Sequence, residues 1–463
     1  MSDGMSKEPI SVVGAGLAGA LLSITLARRG HRVRLYERQD DMRRFQVDAG
    51  RSINLALAAR GIRALDLAGV MDRVLPELVP LPGRMLHDLE GALTFVPYGQ
   101  RPEEVIYSVS RPGLNCILLD AAEAAGVELV FRRQAIGADF TRRRIVFQED
   151  DVSGRTHEIP MNRVFATDGA GSVLRRSMVE QLGVGCTEDL LKHGYKELTL
   201  PPFPDGQPRI DKHALHIWPR GGFMLIALPN VDGSFTVTLF LALTGPESFA
   251  TLTSPASVEA FFEKHFPDVR QLMPELASEF LQHPTGIMGT VRCQQWSVGD
   301  DLLLLGDAAH AITPFHGQGM NCCFEDCREL DALLVDSEDW ARSFREFESG
   351  RRPNTDAIAD MAVENYLEMR DTVRDPKFHL HKALSLELER RHPQRFVPRY
   401  SMVMFRDDIP YALAYERGRI QNEILSVLTQ SADALSSVDF AAADRMIEAR
   451  LSPLPLPLSL RAR

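Results

Sequence analysis

The chain has 463 residues and a formal net charge of −11, with 44% hydrophobic and 25% charged side chains. These are ordinary globular values, enough for two or three domains with several cores, and they exclude a disordered chain. The acidic balance, with no Lys/Arg run, offers no field to nucleic acid, and six unevenly spaced cysteines make no disulfide framework.

Met1 to Glu8 is polar and leads into an apolar strand, so no secretory leader is read and the cytoplasm is the expected compartment. Ile10 to Val13 reads as that strand, Gly14-Ala15-Gly16-Leu17-Ala18-Gly19 as a glycine turn, and Ala20 to Arg29 as a helix stopped by Gly30. A second strand through Val33 and Leu35 ends at Glu37, 23 residues beyond Gly14. An acid at that offset bonds the ribose of an adenine dinucleotide, and a carboxylate favours a free 2′-hydroxyl, which FAD has and NADP lacks. Arg38 is either a contact to the adenosine or diphosphate or a solvated charge.

Residues 79–110 contain a hairpin at Glu90-Gly91, and Val105 to Ser110 reads as a strand. Ala166-Thr167-Asp168-Gly169-Ala170-Gly171 follows an apolar stretch and enters a basic helix. Residues 193–243 alternate in the β manner: Leu215 and Ile217; Met224, Ile226 and Leu228; Thr236, Thr238 and Phe240. A sheet facing a ligand cavity has this pattern, and so does a plain sheet core.

Leu302 to Leu305 reads as a buried parallel strand, which puts Asp307 at the C-terminal edge where such sheets bind ligands and where a carboxylate accepts ribose hydroxyl protons. Pro314-Phe315-His316 follows, and then Gly317 and Gly319 allow close backbone approach. A helix opening at Met320-Asn321 offers unpaired N–H groups to anionic atoms. The target is read as the ribityl, phosphate and ring edge of a flavin. Cys322, Cys323 and Cys327 lack a second ligand pair and read as buried thiols on that helix, so no metal is assigned. Beyond about residue 375 the pattern is helical and charged, through Leu380 to Arg391 and Ile420 to Leu428. The apolar Leu451 to Leu460 is broken by Pro453, Pro455 and Pro457 and cannot span a bilayer as a helix.

The glycine turn, the Asp-Gly turn and the Gly-Asp loop together resemble the FAD-dependent aromatic hydroxylases, single-component monooxygenases that use a nicotinamide donor. Where the family pattern has Gly-Ala before Asp-Gly, this chain has Ala166-Thr167, which puts nicotinamide contacts in doubt. The segments 50–57, 193–198, 214–219, 234–240, 364–366 and 398–403 are similar to one branch of the family, and the likeness covers most of the chain. The resemblance implies bound FAD, with NADPH and O2 as co-substrates. The flavin would be reduced, take up oxygen at its C4a carbon and transfer an electrophilic hydroxyl to an aromatic ring. The substrate implied is an amino acid with an ortho-aminophenyl ketone side chain.

Residue by residue, the resemblance assigns Gly14, Gly16, Leu17, Ala18, Gly19, Glu37, Arg38, Leu55, Ala56, Arg111, Ile136, Asp307, Gly319, Met320 and Asn321 to the cofactor. Pro314, Phe315 and His316 would lie along the reacting flavin face, with His316 read as orienting or packing rather than as a proton carrier. Arg84 and Tyr98 would take the substrate carboxylate, and Asn365, Tyr400 and Met369 the ammonium end. Leu215, Ile226, Leu228, Thr238 and Phe240 would line the aniline ring.

The expected fold is α/β: a discontinuous Rossmann-like FAD-binding domain, an inserted β-sheet substrate domain and a C-terminal helical module. FAD-binding parts are placed at 1–78, 111–184 and 286–374, substrate-sheet parts at 79–110 and 185–285, and the helical module at 375–463. The alternatives are a related flavin hydroxylase acting on another aromatic acid and a non-enzymatic flavin-binding scaffold. NADPH against NADH preference and oligomeric state stay open, a homodimer being compatible with the sequence.

Overall fold

A computed structural model describes residues 8–44, 54–149, 154–335, 337–371 and 376–455. Residues 50–53 and 456–460 of the segments named above lie outside it, as do Met1 to Lys7. The strand Ile10–Val13 pairs in parallel with Val33–Tyr36 on one side and Val164–Ala166 on the other. Leu302–Leu304 adds beyond Val164–Ala166, Glu128–Val130 forms the far edge, and antiparallel Ser297–Val298 completes six strands. The inner strands are apolar at nearly every position because both faces are covered, as a parallel sheet requires.

Register is what builds the site. Val13, Ala166 and Leu304 are direct neighbours across three parallel strands. The residues that follow each of them, Gly14, Thr167-Asp168 and Gly306-Asp307, therefore emerge side by side at one sheet edge. The helix Leu17–Arg28 begins three residues earlier than its sequence suggested, because the chain enters it directly from Gly16.

A seven-stranded sheet runs in the order Gly286–Cys293, Cys186–Leu200, Phe235–Ala242, Met224–Pro229, Leu215–Pro219, Gly83–His87, Leu93–Pro97. The last two strands form the hairpin around Gly91, which has φ +84°. One face, with Leu198, Trp218, Leu225, Val237 and Leu239, packs on the helices Pro255–His265, Pro267–Leu272 and Leu276–Gln282. The other face looks toward the FAD-side loop and the helix Trp340–Asp371.

Strand membership differs from expectation in two places. Ile106–Ser110 pairs with Asn54–Leu57 on one side and Val79–Leu81 on the other in a separate three-stranded sheet, not with the substrate sheet. Buried Asn54 fixes this arrangement, its amide donating to Ser108 Oγ and Pro229 O. Gly286–Cys293, expected on the FAD side, is an edge strand of the seven-stranded sheet along Cys186–Leu200. The C-terminal helices Pro376–Arg391, Tyr411–Leu428 and Phe440–Arg450 close their own core around Leu384, Leu388, Ile424 and Ile447, and Arg399–Phe405 reaches the cavity. Among the described residues no helix is long and apolar enough to cross a membrane.

Candidate functional site

The cofactor end is shaped by glycines whose missing side chains matter in different ways. Gly14 has φ +103°, and a Cβ there would sit 2.5 Å from Thr167 O. A Cβ on Gly16 would instead meet nothing within 4 Å, so open space lies at the start of the helix Leu17–Arg28, which has no side-chain cap and no acid in its first turn. Leu17 and Ala18 begin that helix, and Gly19 packs under the turn, where a side chain would strike Gly14 and Thr167. That is the form of a diphosphate cradle. Glu37 accepts a hydrogen bond from Ala15 N at 2.9 Å and from Gln39 N at 3.0 Å, which aims its carboxylate across the turn. Arg38 is exposed beside it.

Thr167 explains the departure from the family pattern. Its hydroxyl donates to Val13 O (3.0 Å) or Gly14 O (2.9 Å), lacing the Asp-Gly turn to the glycine turn. Asp168 Oδ2 accepts from Val173 N and Leu174 N, capping the helix Val173–Leu182, so the motif is a strand-to-helix turn as well as a cofactor candidate. Its Oδ1 is buried without a partner, and burial raises the Asp168 pKa. Ile136 is 40% exposed at a bulge in the strand Arg133–Asp139, where Gly137 pairs with Val146 and Ala135 with Phe147. A bulge leaves its extra residue out of the ladder, so the Ile136 backbone is open to a ligand.

Asp307 starts the one-turn helix Asp307–His310, three residues beyond the strand's last residue Leu304 rather than at the strand end, after Gly306 at φ +64°. The next helix opens at Gly319, so Gly319, Met320 and Asn321 supply its first N–H groups. The Asn321 side chain does not face outward. It accepts from Ala58 N (2.9 Å) and donates to Ala56 O (2.8 Å) and Gly317 O (2.9 Å), stapling the loop to the strand Asn54–Leu57 that carries Leu55 and Ala56. Asn321 therefore reaches a cofactor through its backbone alone. The cradle at Gly16, the open bulge at Ile136 and the orphaned Asp168 oxygen fit a dinucleotide with FAD's parts.

The second half of the site is one face of the seven-stranded sheet. Cross-strand register puts Arg84 beside Leu215, Ile226 beside Ile217 and Thr238, and Phe240 beside Met224 and Tyr195. Side chains two apart share a face, so Arg84, Leu215, Ile226, Leu228, Thr238 and Phe240 all point the same way. Two residues given no role from sequence, Tyr195 and Glu197, share that face; counting back by two from Thr238's partner would have found them. Burial raises the Glu197 pKa, opposed by Arg111 and His283. Arg111 is exposed at the first position of the helix Arg111–Ala124.

At the Arg84 end two aromatic rings flank the guanidinium, and a third packs behind one of them. The guanidinium lies 4.9 Å from the Tyr400 ring and 5.3 Å from the Tyr98 ring; those two rings stack on each other at 5.3 Å, and His316 stacks on Tyr400 at 5.6 Å. Burial works against the Arg84 charge, but Tyr400, Tyr98 and Glu368 outweigh it and hold the guanidinium ionised. The Tyr98 phenol is pushed up by burial, with Arg84 opposing. Arg84 Nε and the Tyr98 hydroxyl are buried without a hydrogen-bond partner. Two orphaned donors facing one cation-lined space call for an anion with two acceptor atoms.

Phe315 stacks on Tyr366 at 3.9 Å and meets Phe240 at 5.0 Å, so it closes the apolar side of the cavity, while Pro314 is exposed. His316 is lowered to about 3 by burial, then by Arg399 and Arg84, and its neutral ring acts by packing. The structure alters the expectation for Asn365. Its amide nitrogen donates to Phe315 O at 2.6 Å, tying the helix Trp340–Asp371 to the loop, so this group positions Phe315 rather than waiting for a ligand. Met369 lies on the same helix, and its side chain is outside the described residues.

Behind the loop lies a buried charge cluster that sequence gave no hint of. Glu325 accepts from Arg60 and from Arg351 (2.7 Å), and Asp326 accepts from Arg351 (2.8 Å) and faces His310 Nε2 at 2.6 Å. His310, Cys322 and Asp326 come close enough to hold a metal, but Arg351 also approaches Cys322 and supplies positive charge there. Arg60 packs over the Tyr411 ring at 3.9 Å, and the Tyr411 hydroxyl donates to Gln318 Oε1 at 2.6 Å. The C-terminal module is thereby bonded to the loop residue between Gly317 and Gly319.

Comparison with known proteins gives the same reading. Residues 7–345 match the FAD binding domain family model. A kynurenine 3-monooxygenase from Myxococcus xanthus (strain DK1622) is 48% identical over 448 residues, 96% of each chain. One from Stenotrophomonas maltophilia (strain K279a) is 47% identical over 449 residues, 97% of this chain and 98% of its own. Among solved structures, the tetrameric form of 2-methyl-3-hydroxypyridine-5-carboxylic acid oxygenase superposes with a TM-score of 0.64 at 22% identity, covering 79% of this chain and 93% of its own. PqsL of Pseudomonas aeruginosa in complex with 2-aminobenzoylacetate gives 0.62 at 19% identity over 78% of this chain and 96% of its own. With the family model matched over most of its length and such identity to near-complete relatives, the chain belongs to the kynurenine 3-monooxygenase family of FAD-dependent aromatic hydroxylases.

Proposed function

We propose that this enzyme converts L-kynurenine to 3-hydroxy-L-kynurenine with NADPH and O2, using FAD. The observation that carries the substrate is the Arg84–Tyr98 pair, two buried and unsatisfied donors at one end of a largely apolar sheet face. Kynurenine has the matching layout, a carboxylate at one end and an aromatic amine at the other.

The flavin, when bound, supplies the transfer of electrons to dioxygen and the delivery of an electrophilic oxygen. Gly14, Gly16 and the helix Leu17–Arg28 would hold its diphosphate, Glu37 the adenosine ribose, Ile136 the adenine by backbone, Arg111 the flavin side chain, and Asp307 with the Gly319 helix opening the ribityl and ring edge. Arg84 and Tyr98 fix the substrate carboxylate in two directions, which sets the position of the ring along Leu215, Ile226, Leu228, Thr238 and Phe240. The aniline lone pair activates the neighbouring ring carbon, position 3, so the chain needs no base to ionise the substrate. Neutral His316 and stacked Tyr400 keep water from that end, and Asn365 holds Phe315 against the ring. Asn365, Tyr400 and Met369 would close the ammonium end of the substrate. The six-segment division of the chain, amended at the strands noted above, belongs to the same proposal.

The test is turnover. Purified protein carrying FAD at about one per chain should consume NADPH faster when kynurenine is added and yield the 3-hydroxylated product by mass and chromatography. Turnover of 4-hydroxybenzoate with kynurenine ignored would replace this reading with another aromatic acid; bound flavin with no NADPH oxidation would replace it with a scaffold.

A further inference from the structure

All six cysteines are free thiols, and two of them meet. Cys186 opens the strand Cys186–Leu200, Cys293 closes the strand Gly286–Cys293, and the two are directly opposite in the antiparallel ladder, with their Sγ atoms 3.2 Å apart. Opposite residues in such a ladder have Cα atoms about 4.5–5.5 Å apart. A disulfide spans roughly 4.4–6.8 Å, so a bond between these sulfurs needs side-chain rotation and no backbone movement.

The surroundings hold the pair in place. Gln294 N donates to Gly185 O at 2.9 Å, and Trp296 Nε1 donates to Cys293 O at 3.1 Å, so the backbone is fixed on both strands. Cys293 is 3% exposed and burial raises its pKa, whereas Cys186 is half-buried and within reach of solutes. The roles divide accordingly, with Cys186 meeting the oxidant and Cys293 resolving. The three cysteines of the helix Gly319–Leu334 are buried and already engaged, Cys322 by Arg351, Cys323 with Asp307 and Cys327 with Ala18 O.

We propose that Cys186 and Cys293 are an oxidation site that a hydroperoxide closes to a cross-strand disulfide. The Cys186 thiolate attacks one oxygen of hydrogen peroxide, the O–O bond breaks, and the released hydroxide takes up the thiol's proton as water, leaving a sulfenic acid. The Cys293 sulfur then attacks the Cys186 sulfur, the S–O bond breaks, and hydroxide leaves as a second water with the Cys293 proton. Two thiols lose two electrons and two protons, and peroxide is reduced to two waters. Inside a cell such a bond is transient rather than structural, since the cytosolic thiol pool reverses it.

The experiment treats the purified, flavin-loaded protein with hydrogen peroxide, alkylates the remaining thiols and maps unreduced peptides by mass spectrometry. The expected result is loss of two of the six thiols, a peptide joining Cys186 to Cys293 within one chain, and full recovery with dithiothreitol. Cys293→Ser should stop at a sulfenic acid on Cys186 that dimedone traps, and Cys186→Ser should give neither product. Cys116→Ser, changing the other half-buried thiol, should leave the linked peptide intact. Retention of both thiols while Cys116 is consumed, over-oxidation of Cys186 without linkage, or a bond between two chains would each overturn the proposal.

Discussion

Replacing Arg84 with alanine separates two effects that usually run together. In the ligand-free protein the Arg84 guanidinium has a buried Nε that lacks an acceptor, and a buried unsatisfied donor costs about 1–3 kcal/mol. Against this stand its stacking contacts with Tyr98 and Tyr400, worth about 0.5–2 kcal/mol together with the charge they accommodate. The two nearly cancel, so Arg84→Ala should leave thermal stability without kynurenine almost unchanged. Binding has no such cancellation. Removing one half of a desolvated charge pair typically costs about 2–5 kcal/mol, roughly 30- to several-thousand-fold in affinity. Arg84→Lys should recover only part, because an ammonium keeps the charge but neither the planar fork nor the stacking. Tyr98→Phe, losing one hydrogen bond to a charged group, should cost about 1–3 kcal/mol. Titration of each variant with kynurenine by flavin absorbance gives the order, and scanning fluorimetry gives the stability. If Arg84→Ala bound kynurenine within about twofold of the parent, a difference under about 0.4 kcal/mol, the carboxylate site would lie elsewhere.

Gly14→Val should abolish FAD retention, because the new side chain would need a left-handed backbone and would strike Thr167 O; the flavin-to-protein absorbance ratio reports it, and full retention refutes the cradle. Glu325→Gln leaves Arg60 and Arg351 sharing an uncompensated buried charge, and should lower unfolding stability by about 3–5 kcal/mol in urea. His316 titrates at about 3 when folded, below its ordinary 6.5, so the unfolded chain takes the proton first. Its contribution to stability is complete above pH 6.5 and is lost at about 1.4 kcal/mol per pH unit as pH falls toward 3. Between pH 6.5 and 5 the parent should lose about 2 kcal/mol more than His316→Gln, and equal losses in urea melts at the two values would refute the assignment.

What was legible in the sequence was whatever the backbone itself dictates. Gly14 and Gly317 adopt left-handed conformations that other residues avoid, although Gly319, read in the same way, opens a helix at ordinary φ, and the runs Ile10–Val13 and Leu302–Leu304 are almost wholly apolar because parallel strands are buried on both faces. The period of two put Leu215, Ile226, Leu228, Thr238 and Phe240 on one face without knowledge of which strands pair. Pairing itself was less legible. Whether Ile106–Ser110 joins the substrate sheet or the strand Asn54–Leu57 is settled by the Asn54 amide finding Ser108 and Pro229, contacts between residues 54 and 175 positions apart.

Polar side chains were the least legible, because their role is set by what else competes for their hydrogen bonds. Asn321 and Asn365 both look like ligand amides on helix surfaces, yet Asn321 spends both ends on the backbone of its own loop and the neighbouring strand, and Asn365 donates to Phe315 O. Gln318 sits between two glycines read as cofactor contacts, but its amide oxygen is held by Tyr411, which in turn carries Arg60 on its ring. Arg60 donates from its two Nη atoms to Glu325 and to the carbonyls of Arg406 and Ile409. Most of these partners lie between 50 and 349 residues away and follow no period, so only the fold reveals them. The arrangement has a mechanical consequence: the loop proposed to meet the flavin is held on one side by Asn321 and Asn365 and on the other by a C-terminal tyrosine, so the module that would close the proposed substrate end through Tyr400 also sets the loop's position through Tyr411.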